Sequence, residues 1–214
     1  MATVPSSQVQ RFILDGISWE KYRKVLRLLD DRHLRITYNR GRLELMTLSP
    51  QQERLKHVLA FLIVALVEEL GWEWASYGSM TFKRRKRRRG LEPDDCFWIQ
   101  SEPLVRGKDK IDLRLDPPPD LVLEIEVTHS ALDRLSIYAA LTIPEVWCFD
   151  GQALRVYILG SDGRYAESPI SKAFAFLPLK DMAHFLGLRF QMGNAALVRS
   201  FRAWVRDQIA RNWQ

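Results

Sequence analysis

Cysteine is scarce in this chain. Cys96 and Cys148 are the only two, and they lack CxxC spacing. A disulfide-stapled scaffold and the common zinc patterns are thereby excluded, and the two thiols read as buried and free. The four histidines are scattered, with no HExxH or similar cluster, so no histidine-built metal centre is indicated. No window approaches the roughly 18 charge-free apolar residues of a membrane-spanning helix. The opening MATVPSSQVQ has no apolar run of the kind a secretory leader carries, and the expectation is a cytoplasmic protein with no membrane partner. Internal repeats and low-complexity tails are also missing. What remains is ordinary for a soluble globular protein: 47% hydrophobic and 27% charged residues. A chain of 214 residues suits one good core, so a single domain over 1–214 is expected.

Charge is concentrated in one place. The run KRRKRRR, comprising Lys83, Arg84, Arg85, Lys86, Arg87, Arg88 and Arg89, holds seven positive charges against a net +6 for the whole chain. The rest of the protein is therefore near neutral. Such a cluster can neutralise phosphates and steer a polyanion, which makes all seven residues candidates for nucleic-acid contact. The plainer reading is a solvated hairpin loop that protects a sheet edge.

Periodicity maps the chain. Ile17 to Leu29 is helical, and Leu34 to Tyr38 and Arg42 to Met46 form a hairpin around Asn39-Arg40-Gly41. Ser49 caps a long helix over about Gln51 to Leu70, with Pro50 at its first position and Gly71 ending it. A strand is expected within Trp72 to Phe82, then the basic loop, then a strand over Asp95 to Ile99. Gln100 to Pro119 is a connecting excursion. Asp120 to Val127 is a strand, Ser130 to Leu141 a helix and EVWCFD a strand, so Asp120 to Asp150 should form a right-handed parallel crossover. A hairpin through LRVYILG and Tyr165 follows. Two amphipathic helices, near Lys180 to Leu186 and Ala195 to Ile209, close the chain. The last is basic and suits packing on the domain or a dimer seam, with membrane binding a poor third.

One stretch breaks the pattern. In PPPDLVLEIEVTHS (Pro117 to Ser130), Leu121, Leu123, Ile125 and Val127 make an apolar face, while Asp120, Val122, Glu124 and Glu126 share the other. A buried carboxylate costs several kcal/mol unless it is paired, protonated or bound to metal. Glu124 and Glu126 lie about 6.6 Å apart along the strand, and one divalent cation can use either or both. Asp120 is roughly 13 Å from Glu124, too far to share that ion, and is read as anchoring the start of the strand. A salt bridge from Glu124 to an arginine of the next helix is the structural alternative.

A second acidic cluster, Glu92-Pro93-Asp94-Asp95, precedes the neighbouring strand. Adjacent strands lie about 4.8 Å apart, so Asp94 and Glu124 can meet on one side of the sheet. Two such oxygen ligands, completed by water and phosphate, suit Mg²⁺. Such an ion activates water and stabilises charge on a phosphate. Arg134, ten residues after Glu124, can reach back over that face and supply a cation.

The segments EPDDCFWI and PPPDLVLEIEVTHSALDRLSIYAALTIPEVWCFD closely resemble the Uma-two-type proteins, restriction-endonuclease-like domains of the PD-(D/E)XK nuclease superfamily. GRLELMTLSPQQE is similar to that family's N-terminal signature, so the resemblance runs from about Trp19 to Val156. It implies an α/β (α+β) fold: a central mixed β-sheet with core order α-β-β-β-α-β flanked by helices, plus an N-terminal helix and hairpin and C-terminal helices. It implies a Mg²⁺-dependent (or Mn²⁺-dependent) endonuclease acting on DNA as a homodimer. Asp94 matches the PD aspartate and Glu124 the (D/E)xK acid, both as metal ligands. Glu126 fills the lysine place. In this family that cation is often moved to the next helix, four residues before the tyrosine matching Tyr138, which is Arg134 here. Arginine can stabilise charge or orient phosphate but cannot accept a proton. Gln52 stands where the family carries a histidine, with Glu53 beside it.

Other residues weigh less. His129 follows the strand and is a candidate base, with an ordinary loop histidine as the plainer reading. Glu44 is expected to face solvent. Trp98, Trp147 and Tyr138 are read as core packing rather than base stacking. The competing function is a catalytically inactive nuclease-fold protein that binds nucleic acid or supports an assembly.

Overall fold

A computed structural model of the chain describes residues 9–30, 32–125 and 132–212. Its elements run β1 (Arg11–Leu14), α1 (Trp19–Leu28), β2 (Leu34–Asn39), β3 (Arg42–Thr47), α2 (Pro50–Glu69), β4 (Ala75–Ser76), β5 (Phe82–Arg84), β6 (Arg89–Leu91), β7 (Asp95–Trp98), β8 (Leu121–Ile125), α3 (Arg134–Leu141), β9 (Glu145–Phe149), β10 (Leu154–Leu159), β11 (Tyr165–Ser168), α4 (Leu179–Leu188) and α5 (Asn194–Asn212). They build two sheets. One is antiparallel with order β1-β3-β2-β6-β5, and the other has order β11-β10-β9-β8-β7-β4. In the second sheet β8 and β9 run parallel, joined through α3, and every other described pairing is antiparallel. The sequence α2, β4, β7, β8, α3, β9 is the expected α-β-β-β-α-β core with a hairpin, β5–β6, inserted into it.

Local signals explain most of these limits. Ser49 and Gln52 form a reciprocal capping box at the start of α2, with Pro50 in its first turn. The β2–β3 turn places Arg40 and Gly41 at φ of 50° and 106°, the left-handed geometry a two-residue hairpin needs. Between Trp72 and Phe82 only Ala75–Ser76 pairs as strand before β5 begins. The Ser76 hydroxyl donates to Asp95 and accepts from the Gly78 amide, and Gly78 sits at φ 58°, so a turn replaces the longer strand expected there.

The basic run is a hairpin, as the plainer reading expects. Lys83 and Arg84 end β5, Arg85–Arg87 form a single 3-10 turn, and Arg89 begins β6. Phe82 and Leu91, both buried, anchor its base, and β6 pairs with β2.

The second sheet is covered on both faces. Phe97, Leu121, Leu123, Ile125, Trp147 and Phe149 pack with α2, α4 and α5. Cys96, Trp98, Val122, Val146 and Cys148 pack with α3. A smaller core of Trp19, Tyr22, Ile36, Tyr38 and Leu43 lies between α1 and the first sheet. The odd-numbered side of β8 is the apolar core face expected from its alternation, and all five residues of β8 are buried. The Asp120 carboxylate accepts from the amides of Ile99 and Ser101 and from the Ser101 hydroxyl, which fixes the chain where β8 begins.

Candidate active site at the seam of the two sheets

Strand register brings the two carboxylates together. Asp95 is opposite Leu123 and Cys96 opposite Val122, and the Asp94 amide donates to the Leu123 carbonyl at 3.1 Å. Asp94 and Glu124 are therefore neighbours on one face, the face covered by α3. Both are buried, at 1% and 5% exposure. The Ile125 amide donates to Asp94 Oδ2 at 2.6 Å, which holds that side chain against β8.

Helix α3 supplies the next contacts. The Asp133 side chain caps it by accepting from the Ser136 amide, so Arg134 leads the first turn and Tyr138 follows one turn later on the same side. Arg134 Nε donates to Glu124 Oε1 at 3.0 Å, and its Nη2 bonds the same oxygen. Arg134 also donates to Thr37 Oγ1 and to the Glu92 carbonyl, each at 2.8 Å. The Tyr138 hydroxyl donates to Glu124 Oε1 as well. Burial raises the Glu124 carboxyl above the usual range, with Asp94 adding to the rise and Arg134, Arg35 and Tyr138 opposing it. Burial works against the Arg134 charge, but Glu124, Tyr138 and Asp94 together outweigh it and hold the guanidinium above its ordinary value.

Arg35 comes from the other sheet. Its Nη1 lies 3.1 Å from Asp94 Oδ2 and 3.8 Å from Glu124 Oε2, and its Nη2 bonds Asp94 Oδ1. Arg35 and Thr37 are two residues apart on β2 and so share a face. Across β3 they are paired with Met46 and Glu44. Arg35, Thr37, Glu44, Gln52, Glu124 and Arg134 are among the residues lining a cavity of about 360 Å³ at this seam.

Uma2, a family described as "Putative restriction endonuclease", has a model that matches residues 19–191. The chain belongs to the Uma2 family. No curated protein matches it. The fold is consistent with that membership, and the Uma2 positions expected from the resemblance can be placed one by one. Asp94, Glu124 and Arg134 converge. Glu126 and His129 lie outside the described residues. Tyr138 is fully buried in the core, as expected, and in addition bonds Glu124.

Two readings of this Uma2 chain change, and two residues join the site. Glu44 is 2% exposed, lines the cavity at the seam and is paired with Arg11 of β1 at 3.0 Å. The seven cations are not equivalent. Arg84 donates to the Leu113 carbonyl, Arg85 pairs with Glu20, and Arg89 donates to the Ser136 carbonyl, while Lys83, Lys86, Arg87 and Arg88 are exposed. Arg35 and Thr37 were not among the candidates, although polar residues at alternate positions of the buried strand LRITYN carry the same signal as those in β8.

Among the described residues, no three His, Cys, Asp or Glu side chains converge on a metal position. Mg²⁺ needs only one or two carboxylates, with water and phosphate completing its shell. Asp94 and Glu124 fit such an ion in kind and placement, because a cationic nitrogen of Arg35 already lies within 4 Å of an oxygen from each. The fit holds on one condition: Arg35 has to leave Asp94.

Proposed function

We propose that the protein hydrolyses phosphodiester bonds of DNA at the Asp94–Glu124 pair. The observation that carries the reading is the convergence of these two buried carboxylates, from adjacent strands, on one cationic group, Arg35, which lines a cavity together with Glu124. Asp94 and Glu124 would hold Mg²⁺ or Mn²⁺. That ion, when bound, supplies charge stabilisation on the phosphate and activation of water. Arg134 holds Glu124 by two hydrogen bonds and keeps a permanent positive charge beside it. It is a stabilising and orienting group, since a guanidinium does not accept a proton at working pH. Glu126, two residues beyond Glu124, is a possible extra ligand whose contribution E126Q would measure.

A basic groove supports the DNA part of the reading. A depression of about 530 Å³ is lined by Arg40, Arg87, Arg89 and Arg164, and it shares Asp133 and Leu135 with the cavity at the carboxylates. The two depressions therefore adjoin at the start of α3, and a backbone crossing the site can continue onto the arginines. Cutting both strands of a duplex would call for a homodimer.

The test is nicking of supercoiled plasmid in Mg²⁺ or Mn²⁺. Cleavage that disappears in D94A and in E124A is the expected result. The second reading, a nuclease-fold protein that binds nucleic acid without cutting it, is favoured by the bidentate grip of Arg35 on Asp94. It takes over if no cleavage occurs across a broad protein range while salt-sensitive DNA binding persists.

A further inference from the structure

Asp94 and Glu124 already share a cation, and the protein itself provides it. The Arg35 side chain is 5% exposed, buried as deeply as the two carboxylates at 0% and 7%. Its fork engages both oxygens of Asp94, and the same Nη1 faces Glu124 Oε2. Arg134 holds the other Glu124 oxygen. Two carboxylates thus face two guanidinium groups, and their charges cancel. A dication entering this arrangement meets two fixed positive charges and an Asp94 whose oxygens are committed to Arg35 and the Ile125 amide. Arginine keeps its proton, so the conflict is relieved only by moving a side chain.

We propose that Arg35 is an internal competitor for the divalent ion: it holds the carboxylate pair in the resting protein and swings off Asp94 when metal binds. The inference rests on the reading of Asp94 and Glu124 as a cation site. The exchange is of one cation for another, with no covalent step. The cavity gives the guanidinium room to move, and Glu44, already paired with Arg11, lines the same space on the strand beside β2. Metal affinity is then reduced by the fraction of molecules in which Arg35 occupies the pair.

Mn²⁺ alone is the probe, titrated into the full chain without nucleic acid and followed by the electron paramagnetic resonance of the free ion. R35Q is expected to bind Mn²⁺ roughly tenfold more tightly than the wild type, or better, and D94N/R35Q to lose that binding. Equal or weaker binding by R35Q, or no binding by either protein, overturns the proposal. Because R35Q leaves Asp94 without its partner, melting is followed in parallel. R35Q should melt below the wild type in chelator and recover with Mn²⁺, and a melt that Mn²⁺ does not move counts against the proposal. Should R35Q fail to fold, R35K keeps the charge and loses the fork. It should bind Mn²⁺ more tightly than the wild type, and unchanged affinity refutes competition. Tighter Mn²⁺ binding in a protein that never cuts plasmid would leave the Arg35 inference standing and remove the hydrolase reading. Cleavage by the wild type with no affinity gain in R35Q would do the reverse.

Discussion

Replacing Arg134 by methionine probes the seam where the two sheets meet. The Arg134 and Glu124 side chains are 13% and 7% exposed. The guanidinium bonds Glu124 through two nitrogens and also donates to Thr37 and to the Glu92 carbonyl. R134M keeps much of the side-chain volume but leaves Glu124 buried, with Tyr138 as its described hydrogen-bond donor and Arg35 at 3.8 Å. Removing one partner of a buried ion pair costs about 3–5 kcal/mol, because the remaining charge keeps its desolvation penalty. In a chain of this size each kcal/mol shifts the melting temperature by about 2–4 °C, so R134M should melt roughly 6–20 °C below the wild type. Circular dichroism during heating and in urea measures this. A second change, E124Q, made in the R134M background removes the stranded charge and should restore at least half of the loss. A single-variant cost below about 1 kcal/mol would refute the reasoning, as would a double variant whose losses simply add.

G90A should destabilise by about 1–3 kcal/mol in urea unfolding, since an added Cβ on β6 would press on the buried Tyr22 ring and on Lys83. Glu69 joins α2 to Arg202 and Arg206 of α5. Burial pushes its carboxyl upward, but the hydrogen bonds from Arg202 and Arg206 outweigh that and hold it below its ordinary value. Its contribution is therefore fully present above the unfolded value and is lost as pH falls through the folded one. The stability difference between wild type and E69Q should be about 0.5–1 kcal/mol at neutral pH and vanish in acid. For DNA binding, R87A should reduce the salt slope of log affinity by about one unit, whereas R84A, whose guanidinium is tied to the Leu113 carbonyl, should leave the slope unchanged. Equal slopes for the two variants would count against the arginine groove as the backbone path.

The amino-acid sequence alone determined the elements that depend on neighbouring residues. The capping box at Ser49, the Arg40-Gly41 turn and the two-faced alternation of β8 all follow from spacings within a few residues, where backbone sterics and local hydrogen bonds decide the outcome. The alternation of β8 and the turn of α3 put Glu124 and Arg134 within reach of each other, but Asp94 joins them only through the pairing of β7 with β8. Pairing between distant segments decided the rest. Arg35 is 59 residues from Asp94, and only the meeting of the two sheets turns it inward. Glu44 is buried because it lines the cavity at the seam of the sheets, where Arg11 of β1 pairs with it. The basic hairpin joins the first sheet because β6 pairs with β2, from a distant part of the chain. Its cations divide into bound and exposed ones according to which carbonyls and carboxylates the folded chain brings within reach. Burial and charge pairing are properties of the assembled core, and no local spacing encodes them.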